Sequence, residues 1–187
     1  MHDRLETLAQ ITEVVWERLA DAAQLRGANA AESEWRSGVL ATTGPHGADA
    51  RHVVLREVDA AERRLVFYTD DRSPKVAQVE ADGRGVIVFW SRAFGWQLRL
   101  GVRLAVETSG LAVSSRWARL QSSAAAGDYL SLRAPGSPIS GPAGDLGTRS
   151  HFAIIVAQAE TMDWLELHPD GHRRAIFDGS GARWVQP

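Results

Sequence analysis

The sequence predicts a mostly β protein, a β-barrel with flanking helices. Three observations carry that prediction. From Gly38 onward the apolar residues fall in short runs with strand character, many alternating with polar neighbours. Turn chemistry separates the runs, as in Gly44-Pro45-His46-Gly47, Asp59-Ala60-Ala61-Glu62 and His168-Pro169-Asp170-Gly171. Helical spacing is confined to three stretches, which places them around a barrel rather than between parallel strands.

The elements follow in order. Residues 3–25 predict an amphipathic helix, with Leu5, Leu8, Ile11, Val15, Leu19 and Ala22 at three- and four-residue steps, Trp16 against the core and Gly27 as a stop. Val39–Thr43 and Ala50–Val58 predict a hairpin, and Arg64–Thr69 a third strand. Ser73 as N-cap and Pro74 at the first helical position start a second helix, Val76–Ala81, that Gly83 ends. Val86–Trp90 is wholly apolar and is expected to be buried on both faces. Trp96–Val106 alternates. Residues 114–132 carry helical spacing again, Ala134–Arg149 is rich in Pro, Gly and Ser, and Phe152–Ala157, Met162–Leu167 and Arg173–Phe177 predict three closing strands. The expected organisation is one domain over 1–187: an N-terminal helix at 1–27, a barrel core at 38–107, a helical segment and loop at 114–150, and closing strands at 151–187.

Composition narrows the function. The chain has 187 residues, no cysteine and a formal charge of −2. Cysteine chemistry of every kind is therefore excluded, and a reducing, cytoplasmic setting is expected. A slightly acidic chain lacks the clustered Lys and Arg of a general nucleic-acid binder. No apolar run approaches a transmembrane span, so no membrane partner is expected. The six histidines show no metal spacing: His168 and His172 are four apart but flank Pro-Asp-Gly, which no helix presents to one ion. Hydrolase-elbow, P-loop and dinucleotide fingerprints are absent.

The start of the second helix is the strongest site signal. A helix N-terminus offers unpaired N–H groups and a positive dipole end. Thr69 and Ser73 add hydroxyls, and Lys75 adds a charge; it is the only lysine among 21 basic side chains. That set suits a phosphate monoester, although Ser-Pro also starts helices that bind nothing. Arg51 and Arg56 bracket an apolar strand five residues apart and therefore face opposite ways, as ligand contacts or as solvated charges.

Arg51-x-Val53-x-Leu55, then Phe67-Tyr68-Thr69, then Ser73-x-Lys75, then Phe89-Trp90 and Trp96-Gln97-Leu98-Arg99 resembles the pyridoxamine 5′-phosphate oxidase-like family of FMN-binding split β-barrels. The likeness covers residues 38–107 best, continues loosely through 114–138 and returns at 162–187. It implies FMN as cofactor, held at the interface of a homodimer. Arg51, Thr69, Ser73 and Lys75 would bind its phosphate. The backbone of Val53, Val54 and Leu55 would lie against the isoalloxazine edge, with Tyr68 by the ribityl chain. Gln97 would come from the other subunit, and Arg174 would add a further flavin contact. Trp90, Trp96 and Trp117 fall where the family places its seam.

The chain departs from the true oxidase where that enzyme holds its substrate's phosphate. A Lys becomes Arg56, a Tyr-x3-Arg-x3-Ser helix becomes Trp117, Gln121 and Ala125, an Arg-x-His becomes Asp170-x-His172, and a flavin-side Trp becomes Leu165. The resemblance thus implies an oxidoreductase passing hydride to or from FMN, with a small substrate other than pyridoxamine 5′-phosphate. The protein supplies no catalytic residue of its own, and Arg56 and His172 are the expected substrate contacts. The alternatives are a non-catalytic flavin carrier or sensor, and a barrel that takes haem or a deazaflavin.

Overall fold

The computed structural model describes residues 4–24, 34–141, 146–147 and 150–187. Helix α1 runs Leu8–Gln24 and buries Ile11, Val15, Trp16, Leu19, Ala22 and Ala23. It starts later than the periodicity predicts because Thr7 and Gln10 form a capping box. The Gln10 N–H donates to Thr7 Oγ1 (3.2 Å), and the Thr7 N–H donates back to Gln10 Oε1 (3.0 Å). The predicted stop at Gly27 lies outside the described residues.

Eight strands follow: β1 Ser37–Gly44, β2 Gly47–Asp59, β3 Arg64–Asp70, β4 Arg84–Ser91, β5 Trp96–Glu107, β6 Phe152–Glu166, β7 Arg173–Asp178 and β8 Gly181–Val185. They are antiparallel, in the order β3-β2-β1-β4-β5-β6-β7-β8, and β3 also pairs β6. That last pairing closes six strands into a barrel. Phe152–Gln158 of β6 lies against β3, while Met162–Glu166 carries β7, with β8 beyond it.

The closing strands correct the sequence expectation. Phe152–Ala157 and Met162–Leu167 are one strand, not two. The polar residues between them keep strand geometry, and the pairing absorbs Glu160 as a bulge opposite Gly101–Val102. Gly101 permits the bulge, because a Cβ there would run into the Thr161 hydroxyl. Strand β8, five residues long and mostly exposed, completes a hairpin with β7.

Inside the barrel lie Leu40, Leu55, Leu65, Phe67, Ile87, Phe89, Leu98, Leu100, Ile155 and Trp164, each no more than 1% exposed. Strand β4 also differs from expectation. Ile87 and Phe89 face this core, but Val86 and Val88 are half-buried and Trp90 is 46% exposed on the outer face. Alternation holds within an all-apolar run, so one face of β4 is left partly uncovered by the described residues. Helix α2, Pro74–Ala81, packs Val76 and Val79 inward. Helix α3, Leu111–Leu120, and a 3-10 segment, Ala124–Tyr129, replace the single predicted helix. They cover the outer face of β3 and β6, where Val66, Val113, Tyr129, Phe152 and Ile154 form a second cluster.

Candidate functional site

The site begins where β3 hands over to α2. Asp70 ends the strand, and its carboxylate accepts from Arg72, whose Nη2 and Nε donate at 2.7 and 3.0 Å. Asp70 is buried. Ser73 takes the extended N-cap conformation, yet its hydroxyl caps no backbone N–H. Instead Ser73 Oγ accepts from Lys75 Nζ (2.5 Å), and Thr69 Oγ1 accepts from the same ammonium (3.2 Å). A charged donor outcompetes a backbone N–H for the hydroxyl. Both hydroxyl residues are buried, at 4% and 5% exposure.

Arg51 converges on the same place from β2. Its Nη1 donates to Thr42 Oγ1 (2.6 Å) and its Nη2 to Gln78 Oε1 (2.8 Å), with Asp49 Oδ2 2.6 Å away at the exposed rim. Burial, and then the Arg51 charge, lowers the Lys75 ammonium below the ordinary lysine range. Among the described residues Lys75 has no carboxylate within ion-pair distance. Two cations and two buried hydroxyls thus gather at a helix N-terminus with a deficit of negative charge. Such a cradle suits a phosphate.

Thr42 and Gln78 were not foreseen as site residues. Gln78 lies one turn beyond Lys75 at i, i+3, hence on the same helix face, and that spacing is the signal that could have found it. Its Nε2 donates to Asp49 Oδ2 (2.8 Å) while its Oε1 serves both Arg51 and Thr42, so it fixes the Arg51 guanidinium.

Val53, Val54 and Leu55 lie next on β2. Val53 and Leu55 face the core and Val54 faces outward at 40% exposure. β2 pairs β1 through Val54, and pairs β3 only from Leu55 on. The other edge of Arg51–Val54 therefore has no strand against it. This open backbone edge, beside the cradle, can hydrogen-bond a flat heterocycle.

The remaining predicted residues stand apart from the cradle. Tyr68 points to the opposite face of β3 from Thr69, donates to Glu57 Oε1 (3.0 Å) and meets the Phe152 ring edge-on at 4.9 Å. Burial, then the Glu57 charge, pushes its hydroxyl up to about 12. Arg56 stacks over the Tyr68 ring at 5.4 Å. Gln97 and Arg174 share an outward-facing row, Trp90–Gln97–Leu165–Arg174–Val185, across four strand pairings. The Gln97 amide has no side-chain hydrogen bond among the described residues, whereas Arg174 is tied to Asp163 by Nε (2.9 Å) and Nη2 (2.7 Å). His172 is exposed in the β6–β7 turn, where its Nδ1 accepts from the His168 N–H. Of the three tryptophans expected at a seam, only Trp90 is outward. Trp96 is core, edge-on to Trp164, and Trp117 packs on Phe152.

Residues 14–107, about half of the chain, match the model of the pyridoxamine 5′-phosphate oxidase, FMN-binding domain family. The chain belongs to that family. A pyridoxine/pyridoxamine 5′-phosphate oxidase of Granulibacter bethesdensis is 29% identical over 170 residues, covering 79% of this chain and 77% of the relative. Two crystal structures share the fold. A pyridoxamine 5′-phosphate oxidase-related, FMN-binding protein of Nostoc punctiforme superposes with a TM-score of 0.73 at 22% identity, over 97% of this chain and all of the other. PhzG of Burkholderia lata, in complex with tetrahydrophenazine-1-carboxylic acid, gives 0.71 at 18% identity, over 94% and 91%. The fold is the family's split barrel, and FMN is the cofactor the family's domain binds. Among the described residues no helix is long and apolar enough to cross a membrane.

Proposed function

We propose that the protein is an FMN-dependent oxidoreductase acting on a small substrate, with the flavin seated between two copies of the chain. The observation that carries this reading is the Lys75 ammonium held between Thr69 Oγ1 and Ser73 Oγ, with Arg51 converging and no carboxylate at the lysine. A phosphate monoester supplies the charge that this cradle lacks. Lys75 and Arg51 would bind the phosphate, and the two hydroxyls would orient it. The open edge of Arg51–Val54 would receive polar atoms of the flavin ring, Tyr68 and Arg56 would stand at its outer side, and Gln97 would reach a flavin bound mainly by the partner copy. Arg174 would join Gln97 once it exchanges Asp163 for the ligand.

Bound FMN supplies two-electron chemistry by accepting or donating hydride, and the chain supplies binding, orientation and exclusion of water. No side chain in the cradle is placed as an acid or base. The true oxidase activity is not the function proposed, because Gln121 and Ala125 stand where cationic and hydroxyl donors for a second phosphate are required.

The test is spectral. The purified protein should carry, or take up, FMN with a bound-flavin spectrum, and reduced nicotinamide should bleach it with recovery in air. A protein that binds FMN but neither bleaches nor recovers with any reductant is a carrier. Failure to take up FMN removes the reading altogether.

A further inference from the structure

A cavity of about 390 Å³ lies away from the cradle, between the start of α1, the bulge of β6 and the β7–β8 turn. None of its lining residues belongs to the cradle or to the outer face of β1, β2 and β4. Arg63 at its rim and Thr69 in the cradle stand toward opposite ends of β3, about 20 Å apart at the strand rise of about 3.3 Å per residue. Leu8, Trp16, Ala159, Met162 and Phe177 give the cavity an apolar wall, and Thr12 spends its hydroxyl on the Leu8 carbonyl (3.2 Å). A space of this size takes a small ligand. Such a wall suits a hydrocarbon body better than a heterocycle ringed with polar atoms.

The charges at the rim do not cancel. Glu160 Oε1 accepts from Arg103 Nε (3.3 Å), and Asp178 accepts from Arg183 Nη1 and Nη2 (3.1 and 2.8 Å) and from Ser180. Each carboxylate thus has its own arginine. The exposed Arg63 guanidinium makes no hydrogen bond or ion pair among the described residues, so one positive charge is left over.

The backbone of Arg63 is a second, independent observation. At φ 52° it is the one described non-glycine residue in the left-handed region. The turn demands that conformation: the Arg63 N–H donates to the Ala60 carbonyl (3.4 Å), and the Arg63 carbonyl accepts from the Ala159 N–H (3.0 Å) beside the β6 bulge. Glycine would adopt it without strain. An arginine at this position costs the turn stability and gives the cavity its cation.

We infer that this cavity binds an amphipathic monocarboxylate of the fatty-acid class, its hydrocarbon against Leu8, Trp16, Met162 and Phe177 and its carboxylate on Arg63. One planar guanidinium matches one planar monoanion in a bidentate pair. The site goes beyond the flavin reading and does not depend on it, since the two share no residue.

Calorimetric titration of the full chain with octanoate tests it, with acetate (the head without the tail) and octylammonium (the tail with the opposite charge) as comparisons. Octanoate should bind one site per chain, and the other two at least about tenfold more weakly. Titrations are run with saturating FMN and again on Lys75→Ala protein, where octanoate affinity should be unchanged because the cradle takes no part. Arg63→Gly removes the cation and relieves the turn; it should bind octanoate about tenfold more weakly and melt no lower than the parent. Ala9→Trp, on the exposed side of α1, fills the cavity mouth and should abolish octanoate binding with the FMN dissociation constant unchanged. Octanoate binding unaltered in Arg63→Gly and Ala9→Trp, its loss in Lys75→Ala, no binding by the parent, or acetate or octylammonium binding as tightly as octanoate would overturn the inference. So would a dimeric parent whose Ala9→Trp variant scatters as a single chain, because the cavity would then belong to a seam between copies.

Discussion

Lys75 shows how one residue's surroundings set its task. Its ammonium sits between two buried hydroxyls and beside a second cation, which is unfavourable without an anion. A charge-assisted hydrogen bond contributes roughly 1.5–3 kcal/mol, so Lys75→Ala should weaken FMN binding by about 10- to 100-fold. Arg51→Ala should do the same by fluorescence titration; parent-like affinity in both variants would mean the phosphate lies elsewhere. The position was legible in the sequence because Lys75 is the sole lysine and follows a Ser-Pro helix start. The substrate side was legible only as substitutions. With Trp117 packed on Phe152 and Gln121 exposed, two charged contacts to a substrate phosphate are missing, each worth roughly 1.5–3 kcal/mol. Turnover of pyridoxamine 5′-phosphate by the FMN-loaded protein should accordingly fall about two to four orders of magnitude below an ordinary rate of about one per second or more.

At the scale of elements, Glu166 at the end of β6 joins pieces that the strand pattern leaves separate. Arg4 donates to it at 2.7 and 3.0 Å, Arg173 of β7 at 3.0 Å and the Trp96 indole of β5 at 3.3 Å, at 3% exposure. Burial alone would raise this carboxyl, but the bonds from Arg4, Arg173 and Trp96 outweigh it and hold the group below the usual carboxylate range. A depressed folded-state value stabilises the fold above the unfolded value near 4.3 and is lost as pH falls through the folded one. The parent's melting temperature should therefore drop below about pH 4.3 more steeply than that of Glu166→Gln. At neutral pH Glu166→Gln should be less stable, by up to roughly 3 kcal/mol, because the variant removes the charge partner of Arg4 and leaves Arg173 with only the exposed Glu6 at 3.4 Å. Equal pH profiles for the two proteins would remove Glu166 from the account. None of this was readable from the sequence, since a lone Glu at a strand end looks like any solvated charge. The hairpin β1–β2, strand β3 and the start of α2 were readable, because local turn and capping chemistry decides them. The continuity of β6 is settled by pairing with distant strands, which no local pattern reports, whereas β8 is a five-residue, mostly exposed strand paired with its neighbour β7.

For the whole molecule, the informative surface is the outer face of β2, β1 and β4. Val39 pairs Val88 and Ala41 pairs Val86 across β1 and β4, with Val54 and Trp90 at the ends of the patch, 40% and 46% exposed. Gln97 lies directly beside Trp90, with no side-chain hydrogen bond to its amide among the described residues. A contiguous apolar patch with a free polar group at its margin is what an interface presents before assembly. The homodimer proposed for the flavin site would use this face, and light scattering should then give about twice the chain mass of 20.4 kDa at micromolar concentration. Trp90→Glu places a charge at one end of that seam, where desolvation opposes burial, so the variant should scatter as a single chain. Since Gln97 is proposed to serve the partner's flavin, the same variant should lose FMN affinity by tenfold or more although every cradle residue is intact. A monomeric Trp90→Glu that binds FMN like the parent would place the whole flavin site within one chain, and a dimeric Trp90→Glu would move the seam to another face. Mixing Trp90→Glu with Lys75→Ala gives no rescue if both defects act as assigned, because the one chain cannot dock and the other cannot hold phosphate. Gln97→Ala chains mixed with Lys75→Ala chains separate the two contributions instead. In a mixed dimer one site carries both defects and the other neither, so half of its sites should bind FMN with parental affinity.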